Sequence, residues 1–160
     1  MRMIAAVAAL TLAGGCATTG KPDTGPFTKA QVDAMRGQGF QRTQRGWEFS
    51  MADRLLFATD SSDVLAGQAT SIDRMTRVLK DVGIGHVEVE GHTDKTGTVR
   101  HNDELSVKRA AAVAKVMSVS GMPEDGIKVV GLGERYPVES NSTAAGRREN
   151  RRVVILITAP

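Results

Sequence analysis

The sequence predicts an α+β fold, a two-layer sandwich of the βαβαββ type in which a mixed sheet carries its helices on one face. Three stretches predict it. Val87–Glu90 alternates apolar and acidic residues, which is typical of a half-buried strand. Apolar residues between Leu65 and Val82 recur at helical spacing. Val153–Ile157 is continuously apolar, so we expect it to be a central strand.

The folded domain is predicted to span residues 46–160. Trp47–Met51 alternates as its first strand, and Arg54–Phe57 is interpreted as a continuation or a partner of that strand. Gly83 and Gly85 end the helix that follows. The apolar stripe of this helix is assigned to the core: Leu65, Ile72, Met75, Leu79 and Val82.

The remaining elements follow the Val87–Glu90 strand. A helix is predicted from Asn102 to about Ser120. Asn102 is a favourable N-cap, and two acidic residues directly after it suit the positive end of the helix dipole. A strand at Ile127–Val130 and an irregular loop over residues 131–145 lead to the final strand.

The first 15 residues are predicted to be a signal peptide. Their apolar run is too short to span a bilayer as a helix but has the size of a secretory signal. It ends in Leu12-Ala13-Gly14-Gly15-Cys16, which resembles the bacterial lipoprotein signal, in which cleavage precedes a cysteine that is then lipidated. We therefore expect Cys16 to carry a lipid anchor; an incidental cysteine inside an ordinary signal peptide is the alternative. In lipoprotein sorting signals, Asp directly after the lipidated cysteine retains the protein at the inner membrane, so the resemblance with Ala17 at that position favours the outer membrane.

Residues 16–45 are predicted to be the lipidated N-terminus and a flexible linker. Residues 17–26 are rich in Thr, Gly, Pro and Asp, a composition that buries little apolar surface. Residues 27–36 could form a short helix with Thr28 as its cap. Such a tether would set how far the domain stands from the membrane.

The centre of the chain contains a candidate binding site. A strand end presents Asp94 in the sequence Gly91-His92-Thr93-Asp94, and the following helix carries Leu105 and Arg109 on one face. Asp94 and Arg109 could therefore point into one cleft. From spacing alone, a structural ion pair between the two is the simpler interpretation.

These segments resemble the OmpA-like peptidoglycan-binding domain family, in its Pal-like outer-membrane lipoprotein form. The resemblance covers about residues 47–158. It depends on several motifs in the right order: Gly91-His92-Thr93-Asp94, Gly97, Asn102, Leu105-Ser106, Arg109-Ala110, Gly131-Leu132-Gly133-Glu134, Pro137-Val138 and Asn150-Arg151-Arg152-Val153, with Leu56-Phe57-Ala58-Thr59-Asp60 as the first strand and its exit.

The resemblance implies binding of the peptidoglycan stem peptide, chiefly of its meso-diaminopimelate residue. The free end of that residue carries an ammonium and a carboxylate on one carbon. Asp94 would accept the ammonium and Arg109 would grip the carboxylate with its planar fork. Backbone N–H groups at the start of the Asn102 helix, or near Thr59 and Asp60, could share the carboxylate.

Three further residues match family positions that line the cleft: Asn102, Leu105 and Arg152. Asn102 could equally be only an N-cap, and the Arg152 side chain could simply lie along the sheet. His92 is interpreted as a strand-end residue whose hydrogen bonds are satisfied, and not as a ligand.

The sequence favours a binding protein over an enzyme. It contains no nucleophile elbow and no metal-ligand spacing around its three histidines, so we expect no catalytic residues, no metal and no cofactor. The formal charge of +3 is too small to indicate a nucleic-acid partner. The expected partners are the peptidoglycan stem peptide, the outer membrane through the lipid anchor, and envelope proteins of the Tol-Pal type. The alternative is an interaction lipoprotein whose main partner is another envelope protein.

Overall fold

The computed structural model describes residues 25–50 and 57–159. Their chain folds into one five-stranded sheet with strand order β1-β2-β5-β3-β4. β3 and β4 are parallel, and every other pair is antiparallel. The elements are α1 (Lys29–Gln38), β1 (Gln41–Arg42), β2 (Trp47–Ser50), α2 (Ala66–Asp81), β3 (Val87–Gly91), α3 (Val99–Val119), β4 (Ile127–Gly131), α4 (Ala144–Asn150) and β5 (Val153–Ile157).

The predicted α+β class and mixed sheet are confirmed. β5 lies between β2 and β3, and all five of its residues are buried, as its unbroken apolar sequence indicated. Alternate residues of the strands face α1, α2 and α3 and share one core with them. Representative members of that core are Val89, Ile155, Ile72, Leu79, Val113 and Met117. The sheet therefore has one helix-covered face and one face without these helices.

The structure contradicts the linker prediction for residues 28–42. α1 begins with a capping box in which Thr28 and Gln31 bond each other's backbone N–H groups. Val32, Met35 and Phe40 are buried in the main core. β1, which follows α1, pairs with β2 in the sheet. The folded domain therefore begins well before residue 46, because these apolar side chains complete the core that the sheet and α2 leave open.

The second predicted helix begins earlier than expected. Thr98 caps α3, and its hydroxyl accepts a hydrogen bond of 3.2 Å from the N–H of His101. Asn102 is therefore not the N-cap; it lies inside the first turns of α3 and is buried. Thr98 has the extended backbone conformation of an N-cap residue. Directly before it, Gly97 has a φ of +96°, a left-handed conformation that glycine adopts easily.

Two smaller predictions are also corrected. Leu65 is not a core residue, because it precedes α2 and its side chain is 64% exposed. The loop predicted over residues 131–145 ends in the short helix α4, capped by Thr143. The signal peptide, Cys16 and most of the stretch interpreted as a strand at residues 54–57 lie outside the described residues. Within the described ranges, no helix is long and apolar enough to cross a membrane.

Candidate ligand-binding cleft

A cleft of about 200 Å³ opens where β3 ends and α3 begins. The turn after Phe57 and the residue Arg151, at the end of α4, complete its walls. Six of the seven residues predicted for the site meet in it: Thr59, Asp60, Asp94, Asn102, Leu105 and Arg109. The seventh, Arg152, lines a different cavity.

Gly91 makes the cleft possible by letting α3 pass close to the end of β3. A Cβ atom at this position would overlap the backbone carbonyl oxygen of Ser106 on α3. The absence of a side chain thus brings the start of α3 beside the residues that follow β3. The glycine of the Gly91-His92-Thr93-Asp94 motif therefore has a packing role.

Asp94 is a buried carboxylate that the structure holds ionised. Its Oδ1 accepts a hydrogen bond of 2.8 Å from the N–H of Thr96, and its Oδ2 accepts one of 2.8 Å from Arg151 Nη1. Burial alone would raise the pKa of Asp94, but the bonds from Arg151 and Thr96 outweigh burial and hold the pKa below its ordinary value. Asp94 therefore faces the cleft as an anion at neutral pH.

Arg109 is the floor of the cleft and is fully buried, with 0% of its surface exposed. Its Nε, Nη1 and Nη2 donate to the carbonyl oxygens of Ser61, His92 and Ala58 at 2.8, 3.0 and 3.0 Å. The guanidinium also lies 5.2 Å from the centre of the Phe57 ring. Arg109 thus fixes both the end of the strand at His92 and the turn that carries Thr59 and Asp60.

The charge of Arg109 is not neutralised by a direct ion pair. Among the described residues, no carboxylate oxygen lies within 4.0 Å of its guanidinium, and Asp94 pairs with Arg151 instead. Burial, followed by repulsion from Arg151, lowers the pKa of Arg109 to about 10. The group is still protonated at neutral pH, so the floor of the cleft carries a buried positive charge. The ion pair between Asp94 and Arg109 that spacing allowed is not formed.

Two contacts on α3 set the rim of the cleft. Asn102 Nδ2 donates to Glu134 Oε2 at 2.6 Å, which ties α3 to the segment after β4. His101 Nε2 lies 2.7 Å from Asp60 Oδ1, which ties α3 to the turn after Phe57. Leu105 is buried but outside the main core cluster, so it supplies an apolar wall.

Arg151, and not Arg152, is the cleft residue of the Asn150-Arg151-Arg152 motif. Side chains alternate across the sheet, and Arg151 is in phase with Val153 and Ile155, which face the helices. Arg152 is in phase with Val154 and faces the opposite side. Reading this alternation back from the final strand would have selected Arg151 from sequence alone.

The cleft is lined by charged side chains of both signs. Its lining includes the carboxylates of Asp94 and Asp60, the Arg151 guanidinium that pairs with Asp94, and the buried cation of Arg109, flanked by the apolar wall of Leu105. No group of three or more metal-ligating side chains occurs within the described part of the chain. The arrangement suits a small group that carries both charges.

Fold and sequence together place the chain in a known class. Residues 56–151 match the OmpA family. The chain belongs to the OmpA family.

Several relatives are similar to this chain over most of their own length. The outer-membrane lipoprotein YfiB of Pseudomonas aeruginosa is 39% identical over 145 residues, which cover 91% of this chain and 85% of that protein. Among solved structures, the peptidoglycan-associated lipoprotein of Burkholderia pseudomallei has a TM-score of 0.61 and 30% identity, covering 66% of this chain and 91% of that one. The cell wall anchor of the type VI secretion system of Pseudomonas aeruginosa has a TM-score of 0.65 and 28% identity, covering 82% and 95%.

Proposed function

We propose that this protein binds peptidoglycan without covalent attachment, by seating the free end of meso-diaminopimelate in the cleft between β3 and α3. One observation carries the proposal. An ionised, buried Asp94 and a fully buried Arg109, to which the described residues supply no direct counter-ion, line the same cavity. A ligand end that carries an ammonium and a carboxylate on one carbon complements both charges.

The ammonium belongs at Asp94. Each carboxylate oxygen accepts one hydrogen bond from Thr96 or Arg151, and an ionised carboxylate has about four acceptor positions. Acceptor capacity for the ligand is therefore left. The bond from Arg151 keeps Asp94 charged and oriented before the ligand arrives, which reduces the cost of binding.

The carboxylate belongs at Arg109, with a different geometry from the fork expected from sequence. Three of about five guanidinium N–H groups already hold backbone carbonyls, so Arg109 supplies its charge and its two remaining N–H groups. Backbone N–H groups of the turn at Thr59 and Asp60 are proposed to share the carboxylate. Leu105 is proposed to contact the aliphatic part of the ligand.

Names of the relatives support the wider role. One is an outer-membrane lipoprotein, one is a peptidoglycan-associated lipoprotein, and one is a cell wall anchor. Lipidation at Cys16 would place this protein on the periplasmic face of the outer membrane, where binding of peptidoglycan by the domain would tether the membrane to the wall. Lipid chains contribute about 0.8 kcal/mol per buried methylene, so more than one chain makes the attachment stable.

Pulldown on purified sacculi tests the proposal. Wild-type protein should sediment with sacculi, and the Asp94→Asn variant should remain in the supernatant. Asp125→Asn is the matched control, because Asp125 is exposed and lies in the turn before β4, at the opposite end of the sheet. Thermal unfolding of each variant verifies that it is folded at the assay temperature. Equal sedimentation of Asp94→Asn and wild type would refute the role of this cleft.

A further inference from the structure

A second cavity, of about 450 Å³, lies on the face of the sheet that the core helices do not cover. Its floor consists of residues that alternate with the core positions of β2, β3 and β5. Glu90 lies on β3 and His92 directly follows that strand, whereas Val154 lies on the neighbouring strand β5 and Arg152 directly precedes it. Residues 132–138, after β4, form a wall on one side, with Leu132 and Val138 lining the cavity.

Three polar side chains on this floor are almost completely buried. The exposed fractions of Glu90, His92 and Arg152 are 2%, 3% and 5%. Their unpartnered atoms are Glu90 Oε2, both ring nitrogens of His92, and Arg152 Nε and Nη1; within the described residues none of these forms a hydrogen bond. Each such buried group costs on the order of 1–3 kcal/mol, and a charged group costs more.

The two buried charges do not neutralise each other. Arg152 donates from Nη2 to the carbonyl oxygen of Tyr136 at 3.3 Å, and no ion pair joins it to a carboxylate among the described residues. Within the described ranges Glu90 uses only Oε1, which pairs with Arg45 at the mouth of the cavity. A buried guanidinium and a half-used buried carboxylate therefore line the same space, separated by more than ion-pair distance.

The imidazole of His92 is neutral in this setting. Burial, followed by the positive charges of Arg152 and Arg45, lowers its pKa to about 3. One ring nitrogen is then a donor and the other an acceptor. His92 adds hydrogen-bonding capacity to the floor without adding charge.

We propose that this cavity is a second binding site, and that it takes a free α-amino acid with a small apolar side chain. The carboxylate of the ligand lies against Arg152 and its ammonium against Glu90 Oε2. Its side chain contacts Val154, Leu132 and Val138. A molecule with both charges on one carbon bridges the two separated buried groups, and the volume is within the usual range for small-molecule sites.

The site is distinct from the cleft proposed for peptidoglycan. The two cavities share no lining residue and lie on opposite faces of the sheet. His92 and Arg152 stand next to cleft elements in sequence but point away from them. Binding at one site can therefore be removed by substitution without removing charged groups from the other.

Calorimetry with L-valine and D-valine tests the proposal, using the full chain in detergent micelles. At least one enantiomer should bind saturably. Isovalerate, which lacks the ammonium, and isobutylamine, which lacks the carboxylate, should each bind at least about tenfold more weakly. No saturable binding by either enantiomer, or an analogue that binds as tightly as valine, would overturn the proposal.

Variants locate the binding. Glu90→Gln keeps the side-chain shape and should weaken valine binding at least about tenfold. Glu88→Gln is the matched control two residues earlier on the same strand, where the carboxylate pairs with Lys128, and it should leave binding unchanged. Asp94→Asn in the cleft should also leave valine binding unchanged. If Asp94→Asn abolishes valine binding and Glu90→Gln does not, valine occupies the cleft and the second site is refuted.

Discussion

Replacing Arg151 with Met tests the electrostatic design of the cleft. Methionine keeps an unbranched chain but removes the hydrogen bond of 2.8 Å to Asp94 and the one of 3.0 Å to the carbonyl of Phe57. Side chains of the pair are only 15% and 6% exposed, so solvent does little to replace the lost partner. Breaking a buried pair by removing one member costs about 3–5 kcal/mol. Because the pair borders a cleft, we expect about 3 kcal/mol at neutral pH.

The loss should depend on pH in a defined direction. The folded-state pKa of Asp94 is below its ordinary value, so its stabilisation is present above the unfolded-state pKa of about 3.9 and is lost as pH falls through the folded-state value. In Arg151→Met the pKa of Asp94 is higher than in the wild type, because the lowering by Arg151 is lost while burial remains, so acidification relieves the buried charge. The stability difference between the two proteins should therefore shrink below about pH 4.

Urea unfolding followed by circular dichroism, at pH 7 and at about pH 3, measures this difference. Arg148→Met is the control, because Arg148 lies three residues earlier and is largely exposed, with a weak contact to Glu149; it should cost at most about 0.5 kcal/mol. A loss below about 1 kcal/mol for Arg151→Met at pH 7, or a difference that stays constant with pH, would refute the reasoning.

Three further predictions concern the anchor, the domain boundary and the packing. Cys16→Ser should move the protein from the membrane fraction to the soluble periplasmic fraction; unchanged fractionation would contradict lipid anchoring. Residues 25–160 should unfold cooperatively, whereas residues 46–160 should be less stable by several kcal/mol, because they lack three core side chains that each contribute about 1.5–3 kcal/mol; equal denaturation midpoints would contradict this. Gly91→Ala should destabilise the fold by about 1–3 kcal/mol through its overlap with Ser106, measurable by urea unfolding, and an unchanged midpoint would show that α3 can shift.

The sheet could be predicted from sequence because its strands have strong local signals. β5 is unbroken in its apolar sequence, and in a strand this pattern indicates burial on both faces. The alternation of β3 placed Asp94 at a strand end beside a helix, where the structure has it. Such features depend on residues close together in the chain.

The inaccurate predictions depended on long-range contacts. Spacing placed Arg109 on the cleft face of α3 but did not indicate that the carbonyls of Ala58, Ser61 and His92 converge on it. A variant such as Arg109→Ala is therefore expected to destabilise the fold as well as binding. The packing of Val32 and Met35 against the core was likewise hidden, because the Thr-, Gly-, Pro- and Asp-rich residues 17–26 just before α1 indicated a linker.

Titration calorimetry with matched stem peptides tests the central claim most directly. A peptide with an unmodified meso-diaminopimelate end presents both charges, whereas a lysine peptide lacks the terminal carboxylate and an amidated peptide has it neutralised. Loss of one partner of a desolvated charged pair costs about 2–5 kcal/mol, so both altered peptides should bind more than about tenfold more weakly. Equal affinity for the lysine and meso-diaminopimelate peptides would contradict recognition by Asp94 and Arg109.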